Sequence, residues 1–157
     1  MRMNSVGSIT VITGDKDGRT AAAFGFGLKE ACSGRQIIFV AFGPEQEVSA
    51  PEFTAKLEPE IKLFRFDASP GTDGEAGESL DRDPRGSLFF IRKVMDISEC
   101  DVLILVGMLD LVAMKAVTDE ELKELLTHHG LMDVVLTGEN VSPQIREAAD
   151  RVLTVTA

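Results

Sequence analysis

Six short apolar runs rich in Val, Ile, Leu and Phe recur along the chain, at Ser8–Thr13, Gln36–Phe42, Glu60–Phe66, Asp101–Val106, Asp133–Thr137 and Arg151–Val155. They are near-continuous rather than cleanly alternating, the pattern of strands covered on both faces. Helical patterns lie between them, and strand–helix alternation predicts a mainly parallel sheet with right-handed crossovers. Thr20–Ala31 is alanine-rich and carries Phe24, Phe26 and Leu28. Gly25 and Gly27 lower its helix propensity but permit close packing on the sheet. Thr118 begins a capping box with Glu121, followed by Leu122, Leu125 and Leu126 at core-facing spacing and a stop before Gly130. Ser142 and Pro143 read as an N-cap and first helical residue of a short helix through Ala149.

Two stretches break the pattern. Asp67–Gly86 holds Gly71, Gly74, Gly77, Gly86, Pro70, Pro84 and six carboxylates, so a long mobile loop is expected, either a solvated excursion or a lid. Gly43–Pro59 contains Pro44, Pro51 and Pro59 and is expected to be irregular, with room for one helical turn. No internal repeat is apparent. At 157 residues, the chain suits one domain over 1–157.

Charge narrows the partners. The formal net charge is −10, and a duplex-binding surface needs clustered Lys and Arg, so neither nucleic acid nor an anionic membrane surface is an expected partner. A local basic pocket for one nucleotide is still allowed. Arg2, Asn4, Ser5 and Gly7 precede the first apolar run, so no signal peptide is read, and Val102–Leu109 is too short to span a bilayer. A cytoplasmic location is the default. Cys32 and Cys100 read as buried small hydrophobes, and Met108 and Met114 as core fillers flanking an apolar segment.

The chemistry concentrates after the first strand, where Gly14-Asp15-Lys16-Asp17-Gly18-Arg19-Thr20 leads into a helix. A glycine-bounded turn between a strand and a helix N-terminus gathers backbone N–H groups and the positive end of the helix dipole, which suits an anion. A tight structural turn is the competing reading of the same letters. On the phosphate reading, Gly14, Asp15, Lys16, Asp17, Gly18, Arg19, Thr20 and Ala21 form the nucleotide site. Arg19 then meets phosphate oxygens, and the Thr20 hydroxyl is the metal ligand, on Mg²⁺.

The short Gly-x-x-x-Gly spacing and the tail Ala22-Ala23-Phe24-Gly25 resemble the phosphate loop T-G-N-G-K-G-K-T-T-A-A-F-G of the ATP-dependent corrinoid adenosyltransferases. Val134-Val135-Leu136-Thr137-Gly138, the run Ile145-Arg146-Glu147-Ala148-Ala149-Asp150, and Cys100–Leu105 resemble the family's later strands and helix in register. The resemblance implies a three-layer α/β P-loop NTPase (RecA-like) fold with a mainly parallel sheet of about six strands. It also implies a homodimer working in cobalamin biosynthesis. The implied reaction is transfer of the 5′-deoxyadenosyl group of ATP, bound with Mg²⁺, to a reduced cobalt corrinoid as substrate.

Several positions depart from the family pattern. The family's central strand ends in Asp-Glu, where this chain has Val106 and Gly107, and Asp110 is the nearest carboxylate, able to reach the site only if the strand end turns back. Lys16, Asp17 and Arg19 stand where the family has glycine and two lysines, the family's Gly-Phe-Thr-Trp stretch is missing, and no catalytic residue is assigned. Two functions are therefore open: an active adenosyltransferase, or a non-catalytic P-loop relative that binds a nucleotide or a partner. His128-His129 reads as a favourable cation at a helix C-terminus, and Asp119-Glu120-Glu121 as a helix-start charge pattern.

Overall fold

A computed structural model describes residues 6–42, 61–66 and 84–156. The elements in chain order are β1 (Ile9–Gly14), α1 (Lys16–Cys32), β2 (Ile37–Phe42), β3 (Ile61–Phe66), α2 (Pro84–Asp96), β4 (Val102–Val106), α3 (Met108–Ala113), α4 (Asp119–Leu126), β5 (Asp133–Gly138), α5 (Pro143–Ala148) and β6 (Arg151–Val155). The six strands form one sheet in the order β3-β2-β4-β5-β1-β6, and every pairing is parallel.

The apolar runs are continuous because alternate residues feed two cores. Ile38, Val40 and Phe42 join Leu103, Leu105, Val134 and Leu136 on one face, under Ile91 and Val94 of α2, Leu122 and Leu125 of α4, and Ile145 of α5. Ile37, Phe39 and Ala41 join Val102, Ile104 and Val135 on the other, under Ala23, Phe24 and Phe26 of α1. Handedness explains this division of helices. The chain moves one way across the sheet from β1 to β2, and the opposite way from β3 to β4, β5 and β6. Right-handed crossovers therefore send α1 to one face and α2–α5 to the other, giving three layers. Gly27 is needed for this packing, since a Cβ there would sit 2.6 Å from the Phe39 ring, whereas Gly25 meets nothing within 4 Å.

The capping box at Thr118 and Glu121 forms, and Ser142 caps α5 with Pro143 at its start. Four expectations need correction. Helix α1 starts at Lys16, four residues before Thr20, because Asp15 caps it. Pro84–Gly86 belong to α2, because proline suits a first helical turn and an amphipathic run, Leu88 to Met95, follows. The rest of the expected Asp67–Gly86 loop, residues 67–83, and the Gly43–Pro59 stretch lie outside the described residues. Cys32 is exposed near the end of α1, while Cys100 is buried and its thiol is pushed up to about 12 by loss of solvation. Met108 is fully buried, but Met114 is exposed at the C-cap of α3. Among the described residues, no helix is long and apolar enough to cross a membrane.

Candidate functional site

In an open parallel sheet, the crevice for a ligand lies at the carboxyl ends of neighbouring strands whose connections leave to opposite faces. Here those strands are β1 and β5, with α1 leaving β1 on one side and α5 following β5 on the other. The segment singled out in the sequence sits at this point.

Gly14 ends β1 with φ +111, and a Cβ would lie 2.1 Å from the Val155 carbonyl oxygen, so both backbone shape and space require glycine. Asp15 is the whole turn. Its N–H donates to the Val155 carbonyl at 2.9 Å, and its Oδ2 accepts from the Gly18 N–H at 3.1 Å, capping α1. Aspartate is among the preferred residues at an N-cap, and this cap starts the helix at Lys16. Lys16, Asp17, Gly18, Arg19, Thr20 and Ala21 are thus helical residues rather than members of an extended loop. The Gly18 N–H, one of the donors that such a turn can offer to an anion, points at the chain's own carboxylate.

Arg19 is buried, with 7% of its surface exposed. One of its guanidinium nitrogens donates to the Gly14 carbonyl at 2.6 Å and another to Asp110 Oδ2 at 3.3 Å. Asp110 reaches the site because β4 does turn back at its end. Gly107, at φ +89, passes the chain from β4 straight into α3, whose first turn carries Asp110. The other carboxylate oxygen of Asp110 accepts from the Glu139 N–H at 2.9 Å. The Gly107 N–H donates to the buried Thr137 hydroxyl at 2.9 Å, tying the ends of β4 and β5. Thr20 is half-buried, and Asp17 and Ala21 are exposed.

Sequence reasoning gave no site role to Thr137, which it read only within a family-like strand motif, and missed the Glu139 N–H and the Val155 carbonyl; strand register brings Gly138 beside Thr13 and Val155 beside Gly14. Oxygen donors for a divalent cation are scarce. Val106 and Gly107 have none in their side chains, and both oxygens of Asp110 are engaged. No cluster of three or more His, Cys, Asp or Glu suited to a metal occurs among the described residues. His128 lies between Asp96 Oδ1, 3.3 Å from its Nδ1, and Glu124 Oε2, 3.4 Å from its Nε2.

A second polar cluster occupies the amino end of the sheet. Arg35 donates to Glu30 at 2.7 Å and to Asp133 at 2.9 Å, while Asp133 also accepts from the Ser8 N–H at 2.8 Å. Partial burial opposes the charge on Asp133, but the Ser8 N–H and Arg35 outweigh it and hold the carboxyl below the usual carboxylate range. The same pairing, against the opposing effect of burial, raises Arg35.

The architecture is shared with solved structures. A KaiC-like protein from the hyperthermophilic archaeon Pyrococcus horikoshii superposes with a TM-score of 0.63 over 96% of this chain and 73% of its own, at 19% sequence identity. That likeness shows the fold, the three-layer RecA-like arrangement of P-loop NTPases. No curated protein matches the sequence. The model of the ATP:corrinoid adenosyltransferase BtuR/CobO/CobP family matches residues 5–157, and with nearly the whole chain covered, this protein belongs to that family.

Proposed function

We propose that this chain is a non-catalytic member of the corrinoid adenosyltransferase family, a P-loop scaffold that acts by binding a partner and does not perform ATP-dependent adenosyl transfer. One observation carries the reading: the Gly18 N–H and Arg19, two groups that would meet a triphosphate, are bonded within the chain. The Asp15 carboxylate sits on the Gly18 N–H, and the Arg19 guanidinium is held between the Gly14 carbonyl and Asp110. A phosphate arriving at the first turn of α1 would face a carboxylate and have to draw the buried Arg19 away from Gly14 and Asp110. Asp15 is exposed, so solvent screens it, but a carboxylate fixed on the Gly18 N–H still repels a polyanion at that point.

Magnesium fits no better. Mg²⁺ wants several oxygen ligands and near-octahedral geometry, and beside the Thr20 hydroxyl the Asp15 and Asp110 carboxylates are already bonded within the chain. The transfer itself needs the nucleotide's C5′ placed in line with the cobalt and the departing triphosphate stabilised. With the Gly18 N–H and Arg19 bonded within the chain, two of the donors that these requirements call on are taken.

Incubation of the full chain with Mg–ATP and chemically reduced cobalamin tests this reading. An unchanged corrinoid absorbance spectrum is expected. A shift marking formation of the cobalt–carbon bond, at a rate proportional to protein concentration, would overturn it.

A further inference from the structure

Away from the carboxyl end, a cleft of about 260 Å³ opens between α2 and the amino ends of β2 and β3. Its floor is apolar. Ile38 and Val94 are buried, and the Phe64 and Phe90 rings meet at 5.0 Å with their planes tilted by 60°. Its rim carries Lys62 from β3 and Lys93 from α2, with exposed Ile97 and Glu99 completing the opening.

Among the described residues, neither ammonium has a hydrogen-bond or ion-pair partner. Two cations face one carboxylate in a chain whose formal net charge is −10, so the cleft is locally positive on an acidic protein. Pockets for drug-sized ligands span about 300–1,000 Å³ and pair an apolar lining with a few placed polar groups. This cleft has that composition at a smaller size.

We propose that it binds a small amphipathic monoanion: a short aliphatic body seated on Phe64, Phe90 and Val94, with one carboxylate held by Lys62 and Lys93. The chemistry of the walls sets the class. Inorganic phosphate would leave the aromatic floor unused, and a neutral apolar molecule would leave both ammonium groups without a counter-charge. The site is independent of Gly14–Thr20, at the opposite edge of the sheet.

The competing role for these lysines is structural, with Lys62 discouraging edge-to-edge pairing of β3 and Lys93 complementing the dipole of α2. NMR titration of the full chain with sodium octanoate, and with octanol as the neutral counterpart, separates the two. Saturable shifts centred on Ile38, Phe64, Val94 and Ile97 are expected. Affinity is expected to fall about fivefold or more for octanol and for a Lys62→Gln/Lys93→Gln variant. Ile97→Glu, at a second exposed position that leaves the core intact, should weaken octanoate by at least as much. The proposal is overturned if octanoate gives no saturable shift up to about 10 mM, if octanol or the double-lysine variant binds as tightly, or if Ile97→Glu has no effect.

Discussion

Two arginines clasp the sheet at its opposite ends, and they do so at different depths. At the amino end, Arg35 is one-third exposed and shares its charge between the half-buried Glu30 and Asp133. At the carboxyl end, the Arg19 side chain is only 8% exposed and is divided between a main-chain carbonyl and one carboxylate. The rim pair adds to strand pairing that exists without it. The buried arginine instead joins β1, α3 and, through Asp110, the residue after β5. A cation where the family places a phosphate-binding lysine is thereby committed to holding the fold.

Perturbing each end should reveal this asymmetry. The largest effect is expected from Gly14→Ala, which places a Cβ against the Val155 carbonyl at a backbone angle that L-residues avoid. It should cost about 3 kcal/mol by chemical denaturation. An unchanged midpoint would show that β6 does not close over the start of α1. Next come the arginines themselves. Arg19→Met leaves the Gly14 carbonyl and Asp110 short of a buried partner and should cost about 2–3 kcal/mol, against about 1 kcal/mol or less for Arg35→Met at the surface. The ordering is the prediction, and its reversal would contradict the comparison.

Acid should probe the amino end selectively. Because the Asp133 carboxyl is held below its ordinary value of about 3.9, its contribution to stability is complete above that value. It is lost as pH falls through the lowered one, since the unfolded chain then binds the proton more readily. Asp133→Asn should flatten that part of the acid limb of a stability–pH curve, and an unaltered limb would remove Asp133 from the account. The smallest change is expected from Asp15→Asn, which keeps a side-chain oxygen on the Gly18 N–H and should shift stability by a few tenths of a kcal/mol, whereas Asp15→Ala should cost about 1 kcal/mol. Equal losses in the two variants would mean that Asp15 does not act as a cap.

The fold was largely legible because both of its faces are buried. The central apolar runs are two-sided strands, whereas the edge strand β6 is largely exposed, Leu153 included, and Thr118, Glu121, Ser142 and Pro143 announced their helix starts through cap chemistry that depends on neighbours only three residues away. Helix α2 was hidden by the glycine- and proline-rich composition just ahead of it, and α3 by an apolar run, Val102–Leu109, that contains both the end of a strand and the start of a helix with Gly107 between them. The site was legible as a place and less so as an arrangement. Gly14–Thr20 was located by its letters, but whether Asp15 caps a helix or borders a loop depends on Val155, and the orientation of Arg19 depends on Asp110, both brought in by distant strands. Asp110 was a candidate on sequence distance alone; the positive φ at Gly107 made it a neighbour of Arg19.

Calorimetric titration of the full chain with Mg–ATP reads whether the turn before α1 takes a triphosphate. With the Gly18 N–H and Arg19 already engaged, no saturable heat is predicted up to about 1 mM ATP, and Arg19→Ala should behave like the unaltered chain. Saturable binding that Arg19→Ala abolishes would contradict the account, because it would require Arg19 to leave Gly14 and Asp110 and meet the phosphates.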